Sequence, residues 1–153
     1  MRLIEVIVVI LMGTQISEAW KRQNQQQLSD AFIKCAEKMN APPGLRKQWQ
    51  QFKYPRQDIA KAECFIRCFF QEIGFMEKSR VKPKRIHHQV EPFLSEKKNP
   101  KFMEHIEGCI NEFKGHSCDK IFKVFLCLEL GYKKEVQRAL RASKTAVAAH
   151  TEL

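Results

Sequence analysis

Six cysteines are the residues of this 153-residue chain whose type and spacing most directly predict chemistry. Cys64 and Cys68 are four residues apart within Gln57–Ile73, which we interpret as one helix, so both side chains leave nearly the same face. Such a pair reaches two different neighbours. The other cysteines are Cys35, Cys109, Cys118 and Cys127. An even number in an exported chain predicts three disulfides, although the residues alone do not choose among the many pairings.

The same residue types could instead serve a metal site or an enzyme, and we predict neither. The sequence has no CxxC pair and no HxxxH pair, which are typical of zinc sites. His87 and His88 have no cysteine nucleophile or paired carboxylates nearby, so we interpret them as exposed loop histidines. The Cys-Cys and His-Asp pairs of a secreted helical phospholipase are missing, and so is a G-x-S-x-G elbow. We therefore expect no catalytic residue, no metal and no cofactor.

Helices must position these cysteines, because no segment shows the sustained alternation that is typical of strands. The helix with Cys64 and Cys68 follows Pro55 and should end at Gly74, a typical C-terminal cap. The sequence predicts further helices over Leu28–Met39 with Ser29 or Asp30 as its cap, Leu45–Phe52, Arg85–Leu94 with an interruption at Pro92, Asn99–Phe113 with Asn99 as its cap, and Ser117–Leu130 with Gly131 as its stop.

The last predicted helix carries two cysteines, Cys118 and Cys127, nine positions apart. At about 100° per residue, nine steps place the second cysteine about half a turn from the first. The two side chains therefore leave opposite sides of the helix, and we expect different neighbours to hold its two faces.

The two ends of the chain differ from this helical part. Residues 1–19 combine a short positive start, a mostly apolar run and small residues near Ala19, which is the pattern of a secretory signal. A membrane anchor is the alternative, but the run is short for one. We expect residues 20–153 to form one secreted, extracellular domain. It would begin with a loose polar arm, Trp20–Gln27, and end in a basic tail over about 132–153, either an amphipathic helix or a frayed end.

The chain is strongly basic, with 27 Lys and Arg against 17 Asp and Glu and a formal net charge of +10. Much of the excess lies in Lys78–Lys101 and in the tail. Such charge suggests a nucleic-acid partner, but export and disulfides argue against one. We interpret the charge as a solvated basic surface, and weak binding to an anionic membrane or matrix stays open as an alternative.

The cysteine spacing resembles that of the insect odorant-binding proteins, the six-cysteine pheromone and general odorant-binding family. Between successive cysteines lie 28, 3, 40, 8 and 8 residues, and the three-residue gap and the final eight-residue gap both match the family's pattern. The residues that flank the cysteines also resemble those of the family, in Cys64-Phe65-Ile66-Arg67-Cys68-Phe69-Phe70 and in Phe125-Leu126-Cys127-Leu128. The resemblance covers about Leu28 to Gly131. The basic net charge departs from the family's commonly acidic members.

This resemblance implies a fold, a disulfide pairing and an activity. The implied fold is all-α, with six or seven helices stapled by three disulfides around an apolar cavity. The implied pairs are Cys35–Cys68, Cys64–Cys118 and Cys109–Cys127. The implied activity is non-covalent carriage of a small hydrophobic ligand, such as an odorant, a pheromone or another lipophilic molecule, with a membrane chemoreceptor as a further partner. A basic interaction or defence protein that acts on an anionic surface is the alternative.

Eleven phenylalanines, most of them in predicted helices, could wall such a cavity. Apolar walls suit a carrier because burial of apolar surface stabilises a bound ligand without a charged anchor. With the resemblance, we expect ligand contacts from clustered apolar residues on three helices: Phe69, Ile73, Phe102, Ile106, Phe122, Phe125 and Leu128. The alternative is that these side chains fill a solid core.

Overall fold

A computed structural model gives the fold of residues 19–94 and 100–151, and six α-helices account for most of them. The helices are α1 (Gln25–Lys38), α2 (Pro43–Gln50), α3 (Ile59–Glu72), α4 (Pro83–Val90), α5 (Pro100–Glu112) and α6 (Cys118–Thr151). Single turns of 3₁₀ helix, Arg56–Asp58 and Glu91–Phe93, precede α3 and follow α4. The all-α prediction is confirmed. The predicted signal, residues 1–19, lies outside the described residues except for Ala19, and so does the predicted cap Asn99.

Helix α3 is the element to which the disulfides tie its neighbours. Cys35–Cys68 joins α1 to α3, and Cys64–Cys118 joins α3 to the first residue of α6. Cys109–Cys127 joins α5 to the other side of α6. These are the three pairs that the resemblance implies. Helix α6 is thus held on opposite faces, as the nine-residue spacing predicts, and this arrangement fixes α1, α3, α5 and α6 around one hydrophobic core.

Helix α1 begins earlier than predicted, at Gln25, and its cap is neither Ser29 nor Asp30. The cap is Asn24, whose side chain accepts a hydrogen bond from the backbone N–H of Gln27 at 2.8 Å. The Gln27 side chain accepts one from the backbone N–H of Asn24 at 2.9 Å, which completes a capping box. Glutamine is a good helix former, so the glutamine-rich stretch joins the helix once the cap is in place.

The predicted loose arm is wrong, because hydrogen bonds tie it to two other parts of the chain. The indole N–H of Trp20 donates to the carbonyl of Ile73 at 3.0 Å. The backbone N–H of Gln23 donates to the side-chain oxygen of Gln89 at 2.8 Å, and the Gln89 amide donates back to the Gln23 carbonyl at 3.0 Å. The arm therefore packs across the end of α3 and along α4.

Helix α3 ends as predicted, but the chain that follows is not a plain loop. Gly74 has a φ of 80°, in the left-handed region that closes helices. Two short antiparallel strands, β1 (Met76–Glu77) and β2 (Arg80–Val81), then form a hairpin. Its turn residues Lys78 and Ser79 both have positive φ, as in a type I′ turn. Such turns usually contain Asn or Gly, so the sequence carries no signal for this hairpin.

The two adjacent histidines, predicted as loop residues, belong to helix α4. His88 is exposed, as expected, whereas His87 is half-buried and its ring lies 6.3 Å from the ring of Phe102. Pro83 occupies the first turn of the helix, where a missing N–H costs nothing, and this lets the helix begin before Arg85.

The predicted stop at Gly131 is also wrong, because α6 continues through it to Thr151. A Cβ atom at this position would overlap the imidazole ring of His105 on α5. The glycine therefore serves close helix packing and not helix termination. Of the two alternatives for the tail, the backbone over 132–151 is helical, and Lys133 pairs with Glu129 at 2.7 Å one turn away. Among the described residues, no helix is both long enough and apolar enough to cross a membrane.

Candidate ligand-binding site

A cavity of about 410 Å³ lies between α1, α2, α3 and α6 and opens to solvent. The disulfide Cys35–Cys68 fixes the two helices that form its main walls. Phe32 precedes the first of these cysteines by three residues, and Phe65 precedes the second by three, so the two rings meet edge to face at 5.0 Å. The covalent tie between α1 and α3 therefore positions the aromatic side of the cavity.

The deepest part of the wall is apolar and tightly packed. It consists of Trp49, Phe65 and Ile66, and the Trp49 side chain is 2% exposed. The Trp49 and Phe65 rings stack with centroids 4.5 Å apart, an arrangement that adds to the stability gained from burial alone. The indole N–H of Trp49 is buried and has no hydrogen-bond partner in the part of the chain that the structure describes.

Half-buried side chains form the middle of the wall, and exposed ones form the mouth. The middle layer comprises Leu28, Phe32, Tyr54, Phe69 and Phe125. The mouth comprises Gln25, Ser29, Ile33, Gln50 and Phe52. Ile33 and Phe52 are large apolar side chains that are 46% and 56% exposed. A ligand entering here would meet these two apolar side chains beside three uncharged polar ones before it reached the aromatic interior.

The polar groups of the wall are few and uncharged. Among the described residues that line the cavity there is no Asp, Glu, Lys, Arg or His. Tyr54 contributes a phenol group to the wall. Its ring centroid lies 5.2 Å from that of Phe122 and 6.1 Å from that of Phe125. Burial, and next the Glu129 carboxylate, raise the pKa of Tyr54 far above its ordinary value, so the hydroxyl keeps its proton. This hydroxyl forms no hydrogen bond with another described residue, and a phenol O–H can donate one.

Two of the seven residues predicted to contact ligand, Phe69 and Phe125, line this cavity. The other five are buried and lie outside its wall: Ile73, Phe102, Ile106, Phe122 and Leu128. Phe122 packs against two wall residues, with its ring 5.2 Å from that of Tyr54 and 6.4 Å from that of Phe125. Phe102 instead packs against His105 at the α5 side of the core, with ring centroids 6.2 Å apart. Of the seven predicted ligand contacts, two thus lie in the cavity wall and five lie in the buried core where α3, α5 and α6 pack together.

Most of the wall consists of residues that the sequence prediction omitted. Three of them had a usable signal, since Leu28 and Phe32 are four apart on a helical face and Phe65 precedes Phe69 by four. Tyr54 had none, because it lies in the irregular segment between α2 and the 3₁₀ turn. Phe52 was predicted as the last residue of a helix, but α2 ends at Gln50 and Phe52 lies in the same irregular segment. Phe52 has a positive φ of 56°, which turns the chain at the mouth of the cavity.

A cluster of possible metal ligands lies elsewhere, on α5 and α6. His105, Cys109 and Cys127 place their ligand atoms within 4.8 Å of one another. Both cysteine sulfurs are joined in one disulfide, so neither is a thiolate that could bind zinc. The Nε2 atom of His105 lies 3.0 Å from the Cys127 carbonyl oxygen and serves packing between the helices.

Known proteins match most of this chain at low sequence identity. The sequence model of the PBP/GOBP family matches residues 17–130. General odorant-binding protein 99b of Drosophila melanogaster is 23% identical over 149 residues, which cover 90% of this chain and 99% of the relative. General odorant-binding protein 99a of the same species is 22% identical over 138 residues, covering 88% and 94%. Long form salivary protein D7L1 of Aedes albopictus is 22% identical over 133 residues, and the match spans only 40% of that longer protein.

Proposed function

The chain belongs to the PBP/GOBP family, and from that premise we propose that it is a secreted carrier of a small hydrophobic ligand. The ligand would bind non-covalently in the cavity between α1, α2, α3 and α6. The observation that carries this proposal is the cavity wall, which is mainly aromatic and aliphatic and contains no charged side chain among its described residues. Its volume of about 410 Å³ lies within the range of small-molecule sites.

The character of the wall supports an uncharged ligand that carries one hydrogen-bond acceptor. A charged group would lose its hydration without gaining a counter-ion there, which is unfavourable. An ester, ketone, ether or alcohol oxygen could accept from the Tyr54 hydroxyl, while an apolar body packs against Phe32, Phe65 and Phe69. Each square ångström of apolar surface that leaves water stabilises the complex by about 25 cal/mol before the costs of binding.

The same wall supports binding without catalysis. A general acid or base must lie within hydrogen-bond reach of the reacting group. The described wall contains neither histidine, nor carboxylate, nor lysine, nor cysteine, and the raised pKa of Tyr54 keeps its hydroxyl a weak acid. We therefore propose carriage and release of an unchanged ligand.

Export of the protein and its further partners belong to the same proposal. Three disulfides suit an oxidising compartment outside the cytosol. A membrane chemoreceptor that takes over the ligand, and weak contact of the basic surface with an anionic membrane or matrix, remain predictions from the sequence. No feature of the described structure favours the anionic surface as the main target over the cavity.

The test of the carrier is displacement of a neutral fluorescent probe, N-phenyl-1-naphthylamine, from the oxidised full chain after removal of any signal. Phe69→Asp places a carboxylate in the wall and should weaken probe binding at least about tenfold, because the charge is desolvated there. Ile33→Trp partly closes the mouth and should also weaken binding. Since Ile33 is exposed, this second variant folds without repacking the core.

Phe93→Asp is the matched control, since Phe93 is 61% exposed and lines none of the described cavities. It should leave probe affinity within about twofold of the parent chain. Far-ultraviolet circular dichroism would establish that all three variants keep their helices. Unchanged probe affinity in both Phe69→Asp and Ile33→Trp would contradict the proposed cavity. In a separate experiment, mass spectrometry of molecules that co-purify with the parent chain would identify candidate ligands.

A further inference from the structure

A second cleft, of about 290 Å³, shares no lining residue with the aromatic cavity. Its sides are the β1–β2 hairpin and the segment that joins α5 to α6. The floor is apolar, with Val81, Ile110, Phe113 and Val124, and Val124 belongs to the buried core. The cleft is therefore a surface depression with a hydrophobic base.

The rim of this cleft is cationic. Arg80 lines the cleft from the hairpin, and Lys114 and His116 line it from the segment that joins α5 to α6. No Asp or Glu is among the described residues that line the cleft. Neither Arg80 nor Lys114 forms an ion pair with any described residue.

Glu112, two residues before Lys114, is the last residue of α5 and does not line the cleft. Two other nearby carboxylates have partners of their own. Glu77, on the partner strand of the hairpin, pairs with Arg85 at 3.0 Å. Asp119 accepts a hydrogen bond from the Ser117 hydroxyl at 2.6 Å, and this bond lowers the pKa of Asp119. No described carboxylate thus pairs directly with Arg80 or Lys114, and both cations can interact with an anionic ligand.

The segment that forms the rim is held in place from behind. The Arg67 side chain of α3 donates to the His116 carbonyl at 2.6 Å. The disulfide Cys64–Cys118 fixes the chain two residues further on, with Cα atoms 4.6 Å apart. A site whose backbone is already fixed loses less conformational freedom when it binds a ligand.

We propose that this cleft is a second binding site, separate from the carrier cavity, for a small amphiphilic anion such as a medium-chain fatty acid. The carboxylate or sulfate of the ligand would lie between Arg80 and Lys114, and its short apolar chain would cover Val81, Ile110 and Phe113. The aromatic cavity would bind uncharged ligands, because it offers no counter-ion. The cleft would bind anions, because Arg80 and Lys114 offer two positive charges. The volume of about 290 Å³ is at the lower end for small-molecule sites, so the chain is short.

The test is nuclear magnetic resonance titration of the isotope-labelled, oxidised chain with octanoate, octan-1-ol and sodium sulfate in separate arms. Octanoate should shift the backbone amides of Arg80, Lys114 and His116 in a saturable manner. Octan-1-ol should leave these amides unshifted, because it lacks the charge. Sulfate should shift them at least about tenfold more weakly, because it lacks the apolar chain.

Charge reversal then tests the assigned side chains. The double variant Arg80→Glu/Lys114→Glu should lower octanoate affinity at the cleft about tenfold or more, as expected when two exposed charge attractions become repulsions. Lys47→Glu/Lys61→Glu is the matched control, with the same change in net charge on exposed residues outside the cleft. It should change that affinity less than about threefold.

Each contrary result would overturn the proposal in a distinct way. Equal losses in the two double variants would show general charge attraction, and equal shifts from octan-1-ol would show an apolar groove. Sulfate as tight as octanoate would show a plain anion site. Octanoate shifts confined to Leu28, Phe69 and Phe125 would place the anion in the aromatic cavity. Binding of N-phenyl-1-naphthylamine in the Arg80→Glu/Lys114→Glu variant shows separately whether the carrier cavity is intact.

Discussion

The imidazole of His105 on α5 lies against the α-carbon of Gly131 on α6, in the space that a Cβ atom would need. The ring is fixed there because its Nε2 lies 3.0 Å from the Cys127 carbonyl oxygen and its face stacks on Phe102. The disulfide Cys109–Cys127 holds the two helices together one turn away. Glycine at position 131 is therefore a packing requirement in the middle of a long helix.

Gly131→Ala should destabilise the protein, although alanine is the better helix former. The added methyl group must displace His105, and overpacking of this kind costs about 1–3 kcal/mol, more than the gain of about 1 kcal/mol from helix propensity. Urea unfolding followed by circular dichroism measures the change. Gly108→Ala is the matched control, because Gly108 lies exposed within α5 with nothing within 4 Å of its Cβ position. That variant should gain up to about 1 kcal/mol, and a gain in Gly131→Ala as well would contradict the close contact.

Trp20→Phe should leave Trp49 as a fluorescent reporter of the cavity. The chain has two tryptophans, and only Trp49 is in the cavity wall. The Trp20 ring packs 6.2 Å from that of Phe75, so phenylalanine keeps the apolar contact and loses the hydrogen bond to Ile73. Because the Trp49 indole is buried without a hydrogen-bond partner among the described residues, emission of the folded variant should be blue-shifted from that of the unfolded chain. A neutral ligand should change this emission, and an emission spectrum insensitive to saturating ligand would count against the cavity.

The two tyrosines should ionise only above the ordinary range for phenols. Burial raises the pKa of Tyr54 and of Tyr132, and the Glu129 carboxylate adds to the effect at Tyr54. In the unfolded chain both ionise near the usual value of 10.0. Above that pH the unfolded chain has lost protons that the folded chain keeps, so stability is intact below pH 10 and falls as pH rises, by at most about 1.4 kcal/mol per pH unit for each tyrosine.

The measurement for the tyrosines is tyrosinate absorbance after a rapid jump in pH, with the urea-unfolded chain as the reference. Tyr54→Phe should remove the later-titrating part of the signal and flatten the loss of stability at alkaline pH. Titration of the folded chain that coincides with that of the unfolded chain would contradict the burial of both hydroxyls.

Removal of a single disulfide should lower the free energy of unfolding, and the loss should be larger for the disulfide that closes the longer loop. Cys64–Cys118 closes a separation of 54 residues and Cys109–Cys127 one of 18. Restriction of the unfolded chain predicts losses of about 4 and about 3 kcal/mol for the respective double alanine variants. Urea unfolding measures these losses. Peptide mapping of the parent chain under non-reducing conditions checks the pairing, and a bond between Cys64 and Cys68 would contradict the fold.

The sequence by itself determined the helical class, the number of disulfides and most helix positions. These features follow from local rules, namely helical periodicity, Pro and Gly signals and an even number of cysteines. The spacing Cys64–Cys68 and the half-turn between Cys118 and Cys127 also predicted that α3 and α6 would each be held by two neighbours. The specific pairing came from the resemblance of the cysteine pattern to a family and not from these rules.

Only the tertiary structure decided which apolar side chains line the cavity and which glycine ends a helix. Periodicity shows that a residue faces inward, but not what it meets there. Phe122 and Phe125 are three residues apart on one helix. Phe125 lines the cavity, whereas Phe122 lies outside the wall and packs edge to face against Tyr54. Gly74 and Gly131 look alike in sequence, but Gly74 has a positive φ and ends α3, whereas Gly131 accommodates His105. In each case the deciding partner is distant in sequence, so no local pattern could contain the answer.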